Sequence, residues 1–277
     1  MISDLTRRFE VDEVSLSWDR WGVGDSTPFL LCHGFSGSSH DFALHIETLA
    51  ATRPVFAIDH RGHGRSQKLG AADRYSIDRL TADLIAFADA EIGTPVDLLG
   101  HSMGGSIALR FALARPDLVR SLILMDTSGW SFVPSDPAVA ELMGAFIASY
   151  DPAGGLPDTS ALAGPEEALI NAATTSEWQA VKQEMAAAFD PHAFKALGSE
   201  LFSGETQWIR DRLSEIACPV SVIVGEHDHP FVDQADVLAH EANGARLTIV
   251  PGAYHSPQLT HSAAWAAAVE AHLTNRA

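Results

Sequence analysis

A chain of 277 residues, 46% of them hydrophobic, is long enough for one large α/β domain with a sizeable core. Its formal charge of −18, from 36 acidic against 18 basic residues, repels polyanions and argues against nucleic acid as a partner; the charge otherwise serves solubility. The two cysteines, Cys32 and Cys218, lie in or beside expected core strands and make no disulfide framework. No apolar run is long enough for a bilayer, and residues 1–8 carry no signal-like apolar stretch. The expectation is therefore a cytoplasmic protein with no membrane partner.

Taken in chain order, Phe9 to Trp21 alternate as an antiparallel hairpin does. Pro28-Phe29-Leu30-Leu31-Cys32 is a continuous apolar run ending in His33-Gly34. Asp41 to Ala51 has helical spacing through Phe42, Leu44, Ile46 and Leu49, and Val55–Ile58 reads as a strand ending at Asp59. Ser76 caps a helix through Ala90, with Asp78 in its first turn. A buried strand at Pro95–Leu99 leads into a helix over Ser106–Ala112. Leu122–Met125 is the next strand, ending at Asp126. Strands at Pro219–Val224 and Ala245–Val250 follow, and a helix over Thr260–Leu273 closes the chain. Apolar strands alternating with helices imply a parallel sheet covered on both faces, with ligands bound at the carboxyl ends of the strands. From Gly129 to Gly204 the rhythm breaks: the stretch is Ala-rich and helical, with no convincing strand and with breaks at Pro134, Pro137, Pro152, Pro157 and Pro165. The organisation expected is a core from residues 1–128 and 206–277, with a helical lid inserted at 129–205.

The strand ends carry the chemistry. Gly100-His101-Ser102-Met103-Gly104 stands where a strand meets a helix, the setting in which a serine hydroxyl is held exposed on a strained turn. Such a serine needs a base, and the base needs an orienting acid. His255, in the loop after the last strand, is the expected base. Asp228, in Gly225-Glu226-His227-Asp228, is the expected acid; Asp126 stays open as the alternative and Glu226 as a more distant one. The oxyanion of a tetrahedral intermediate would be bound by the backbone N–H groups of Met103 and Phe35. His33 and His101 read as packing residues. Asp59-His60-Arg61-Gly62-His63-Gly64-Arg65-Ser66 fits neither phosphate-loop pattern and lacks the companion ligands of a metal site, so it reads as a tight charged turn. No metal and no organic cofactor is expected.

Together His33-Gly34-Phe35, Asp59-x-Arg61-Gly62-x-Gly64-x-Ser66, Gly100-His101-Ser102-Met103-Gly104-Gly105, Gly225-x-x-Asp228 and Pro251-Gly252-x-x-His255 resemble the α/β-hydrolase superfamily, over nearly all the chain. The resemblance implies a mostly parallel eight-stranded sheet with helices on both faces and an inserted lid. Relatives that dehalogenate haloalkanes or open epoxides use aspartate where this chain has Ser102. The remaining activities include esterases, lactonases, C–C hydrolases of meta-cleavage products and cofactor-free perhydrolases. A ligand receptor that keeps the triad is the non-enzyme alternative. The C–C hydrolases fit less well: Ser256 follows His255 where they carry tryptophan, and residues 129–207 hold no arginine, only Lys182 and Lys195 amid many carboxylates. The expected substrate is a small, neutral, largely apolar carboxylic ester or lactone.

Overall fold

The computed structural model describes residues 7–130, 132–134, 136–157, 164–202 and 207–274. The hairpin is β1 (Arg7–Val11) and β2 (Val14–Trp21); the later strands are β3 (Phe29–Cys32), β4 (Val55–Ile58), β5 (Val96–His101), β6 (Val119–Met125), β7 (Val220–Gly225) and β8 (Arg246–Val250). They form one sheet of eight strands in the order β1-β2-β4-β3-β5-β6-β7-β8. Pairing is antiparallel at β1–β2 and β2–β4 and parallel from β4 through β8.

The central strands β3 and β4 are apolar throughout because both faces are covered. Leu30, Cys32 and Leu98 point to one side, and Phe29, Leu31 and Leu99 to the other, as the two-residue period of a strand requires. The first side packs on α2 (Ile77–Phe87), α3 (Met103–Ala114) and α9 (Phe231–Glu241), through residues such as Leu80, Ile107 and Leu238. The second packs on α1 (Ile46–Ala50) and α11 (Ser262–Thr274), through Ile46, Trp265 and Val269.

One expected helix is broken. The segment Asp41–Ala51 is a 3₁₀ turn at Ser39–Phe42 followed by α1. Asp41 turns back to accept the Ser38 N–H at 3.1 Å, and the His45 ring bonds the Gln258 carbonyl at 2.7 Å, so the side chains draw the chain off a single helical axis. The closing helix expected over Thr260–Leu273 is α11, preceded by the short α10 (Pro257–Thr260) and by His261, whose φ of −131° and ψ of 47° are not helical. Ser76 caps α2 as expected, its Oγ accepting the Arg79 N–H at 3.1 Å. The α-helix ends at Phe87, and a wider π turn carries the chain to Gly93.

Between β6 and β7 the described residues contain helices and no strand: α4 (Pro137–Ser149), α5 (Pro165–Ala173), α6 (Ser176–Ala187), α7 (Pro191–Phe202) and α8 (Gln207–Arg210). Polar contacts dock these helices on the sheet domain. Lys182 on α6 pairs with Asp41, and His40 stacks on Trp178 at 4.9 Å while bonding its carbonyl at 3.0 Å. Asp190 accepts from the Tyr75 hydroxyl at 2.5 Å and from the Leu69 and Gly70 N–H groups at 2.9 Å.

Candidate active site

The site is built around the β5–α3 turn. Ser102 has φ 54° and ψ −121°, a conformation costing of order 1–3 kcal/mol that persists only where its surroundings fix it. Here the Ser102 N–H donates to the Met125 carbonyl at 2.9 Å, and its carbonyl accepts from Thr127 Oγ1 at 2.7 Å. The flanking glycines answer to close approach. A Cβ on Gly100 would stand 2.3 Å from the Gly104 carbonyl, and one on Gly104 would stand 2.3 Å from the Cys32 carbonyl. A Cβ on Gly34 would lie 3.0 Å from the Ser102 Cβ, so the loop after β3 runs directly against the serine. Among the described residues, neither the Phe35 nor the Met103 N–H donates to a protein acceptor. Met103 opens α3, where the helix dipole is positive.

His255 follows β8, and its Nδ1 lies 2.9 Å from Asp228 Oδ2, in the turn after β7. Burial opposes charging this imidazole, yet the attraction and hydrogen bond of Asp228, with Glu166 beyond, prevail and hold it above the ordinary histidine range. Asp126, at the end of β6, is fully buried with φ 46°; its Oδ1 accepts the Gly225 N–H at 2.8 Å. A carboxylate oxygen of Asp126, one of Asp228 and a ring nitrogen of His255 lie within 4.8 Å of one another, so both candidate acids stand together while Asp228 is the one bonded to the imidazole. Glu226 is turned away, accepting the Gly252 N–H at 2.7 Å.

Ser102, Asp228 and His255 open into one cleft of about 760 Å³. Its walls are aromatic and aliphatic: Phe35, Phe132, Phe202, Phe231, Val139 and Met143. Asp136, His229 and Asp233 also line it, and no lysine or arginine does so among the described residues. Of the aromatics in the inserted helices, Phe132 and Phe202 line the cleft, while Trp178, Phe189 and Phe194 pack inward. A second cleft of about 600 Å³ lies at the opposite end of the sheet, beside Arg20 and Arg120, and no histidine lines it.

Two residues beside the site carry roles that sequence reading missed. His101 is buried, and its Nε2 lies 2.8 Å from the His255 carbonyl; burial, and then the nearby His255, push its pKa down to about 3, so the ring is neutral and anchors the His255 loop. Glu166, in the first turn of α5, accepts the Ser256 N–H at 2.5 Å. Its place in the sequence suggests only a residue matched to its own helix dipole, and no local pattern marks a contact spanning 90 residues.

The remaining motif residues are structural. His33 bonds the Gly34 carbonyl at 2.9 Å and accepts the His60 N–H at 3.0 Å. The Asp59 carboxylate accepts from the Ser39 and Arg65 N–H groups, each at 2.8 Å, and Gly64 packs so closely that a Cβ there would lie 2.3 Å from it. Arg61 forms a buried bidentate pair with Asp83 at 2.6 Å.

No helix among the described residues is long and apolar enough to cross a membrane. Residues 27–262 match a family model described as the alpha/beta hydrolase fold. The chain is 31% identical, over 86% of its length and 73% of the relative's, to a pimeloyl-[acyl-carrier protein] methyl ester esterase of Neisseria meningitidis serogroup A. Among solved structures it resembles the enol-lactonase from Burkholderia xenovorans LB400 (TM-score 0.76, 21% identity, covering 97% of this chain and 100% of that one). It also resembles Est816, described as an N-acyl homoserine lactone degrading enzyme (TM-score 0.70, 26% identity, covering 96% of this chain and 99% of that one). With a sheet in this order, a serine on a strained β5–α3 turn, and a match spanning most of its length, the chain belongs to the alpha/beta hydrolase fold family.

Proposed function

We propose that the protein is a serine hydrolase that cleaves a small, neutral, largely apolar carboxylic ester or lactone through an acyl-enzyme. The observation that carries this reading is the 2.9 Å pairing of His255 with Asp228 in the same cleft as Ser102. Ser102 attacks the carbonyl as His255 removes its proton, and Asp228 orients the imidazole and stabilises its charged form. The Phe35 and Met103 N–H groups bind the oxyanion. His255 then protonates the departing alcohol and activates the water that releases the acid. Residues 129–205 act as the lid, with Phe132, Phe202 and Met143 giving the acyl group an apolar wall.

The esterase and lactonase relatives support the bond class, and the lining supports a neutral occupant. The two lysines of the inserted helices are engaged elsewhere, Lys182 by Asp41 and Lys195 by the Ile147 and Ala148 carbonyls. A dianionic dienoate would find no lysine or arginine lining the cleft among the described residues. The test is a burst-phase assay with p-nitrophenyl acetate and butyrate, beside a small lactone panel and one dienoate. A stoichiometric burst with steady turnover, lost in Ser102→Ala by a factor on the order of 10⁶ in kcat, is the expected result. Residual turnover within about tenfold of wild type in Ser102→Ala would overturn the mechanism. Rapid dienoate cleavage without ester turnover would overturn the substrate class.

A further inference from the structure

We propose that Asp126 is a protonated carboxylic acid that donates its hydrogen bond to Asp228, adding a fourth, uncharged member to Ser102, His255 and Asp228. This rests on the reading of Asp228 as the acid partner of His255.

The argument starts from an orphan atom. Asp126 Oδ1 accepts the Gly225 N–H at 2.8 Å, but Oδ2 is buried and no donor reaches it. The neighbour it meets is the Asp228 side chain, whose carboxyl comes within 4.8 Å of that of Asp126. Two ionised carboxylates this close, one of them fully buried, would repel each other. The charged groups facing the pair are Asp228 from the turn after β7, His255 from the loop after β8 and Glu166 from α5; no lysine or arginine pairs with Asp126 among the described residues. One proton on Asp126 Oδ2 turns the orphan acceptor into a donor and removes the repulsion.

The proton belongs to Asp126 because Asp228 already accepts the His255 Nδ1–H, while Asp126 is fully buried and has no such partner. Burial, and then the facing Asp228 charge, raise the Asp126 carboxyl well above the ordinary range. Asp228 thus accepts from two sides, from the imidazole and from Asp126, and is fixed in the rotamer that His255 needs. Asp126 touches neither substrate nor the reacting atoms; it is a positioning residue.

The positive φ at Asp126 suits both test substitutions, since asparagine and glycine tolerate that region. In Asp126→Asn the side chain keeps the acceptor for Gly225 and an N–H donor for Asp228; Asp126→Gly removes both. The first measurement is infrared difference spectroscopy of the free enzyme at neutral pH, wild type against each variant. A protonated-carboxyl C=O band in wild type, lost in both variants, is expected; its absence in wild type, or its persistence in both variants, overturns the proposal. If only one variant folds, the band is read against that one. In kinetics, Asp126→Asn should hold kcat/KM within about threefold of wild type, while Asp126→Gly loses tenfold or more. An Asp126→Asn loss as deep as that of Asp228→Asn would make Asp126 the charged acid and overturn the proposal. The infrared readout needs no substrate, so it stands or falls apart from the esterase reading.

Discussion

Gly104→Ala tests whether the approach of α3 to β3 sets the active geometry. A methyl group there would lie 2.3 Å from the Cys32 carbonyl oxygen and 2.6 Å from that of His33. Both are backbone atoms at the end of a central strand and cannot rotate away. Restoring even a 3.0 Å contact from 2.3 Å moves the start of α3 by at least 0.7 Å relative to β3. That movement carries the Ser102 hydroxyl and the Met103 N–H away from Phe35. A displacement approaching 1 Å costs reaction rate on the order of 100-fold, and the overpacking itself costs roughly 1–3 kcal/mol of stability. The control is Gly144→Ala, in the middle of α4, where an added Cβ meets nothing within 4 Å. It should leave kcat/KM unchanged and add about 0.5–1 kcal/mol of stability by removing backbone freedom from the unfolded chain. Both variants would be followed by p-nitrophenyl butyrate kinetics and urea unfolding. If Gly104→Ala keeps kcat/KM within about twofold of wild type, the proposed coupling between the β3–α3 contact and the oxyanion donors is wrong.

Asp228→Asn should lose kcat on the order of 10⁴, because the imidazole is no longer held in the right tautomer or stabilised when charged. The same variant removes the attraction that raises His255, so the acid limb of its kcat/KM profile should move to lower pH. As the proposed base, His255 would work only when neutral, and its pKa lies above the ordinary 6.5. The acid limb should therefore have its midpoint above 6.5, with activity rising as pH increases through it; a midpoint below 6.5 would contradict the pairing. Trp265 is fully buried and its indole N–H donates to Met125 Sδ at 2.8 Å, so Trp265→Ala should cost about 3–5 kcal/mol in chemical denaturation. A loss below about 1 kcal/mol would mean that α11 does not hold that face of the sheet.

The strands were readable from sequence because parallel strands buried on both faces leave unbroken apolar runs such as Phe29–Cys32 and Val55–Ile58. The β5–α3 turn was readable because glycine is forced by backbone contact at Gly100 and Gly104, and that requirement leaves a local mark. The helix break was not. Periodicity carries through Asp41–Ala51, whereas the break depends on Asp41 meeting Ser38 and Lys182, and on His45 meeting Gln258. The same holds beside the site. Asp126 and Asp228 both stand at strand ends in the sequence, but only the neighbouring register of β6 and β7 brings the carboxyls within 4.8 Å of each other. Glu166 and His101 act through backbone groups of the His255 loop, and a backbone acceptor or donor has no sequence signature.

The cleft carries carboxylates beyond the Asp228 pairing, and this bears on the end of the catalytic cycle. Hydrolysis of a neutral ester changes the charge of what occupies the cleft, since the acid formed ionises at neutral pH. That anion finds Asp136 and Asp233 along the cleft, no lysine or arginine lining it among the described residues, and a chain of net charge −18 around it. The repulsion drives product out rather than holding it, so the carboxylic acid should inhibit weakly. Because the screening length shortens to about 3 Å at 1 M salt, added salt should tighten product inhibition while leaving the affinity for the neutral substrate nearly unchanged.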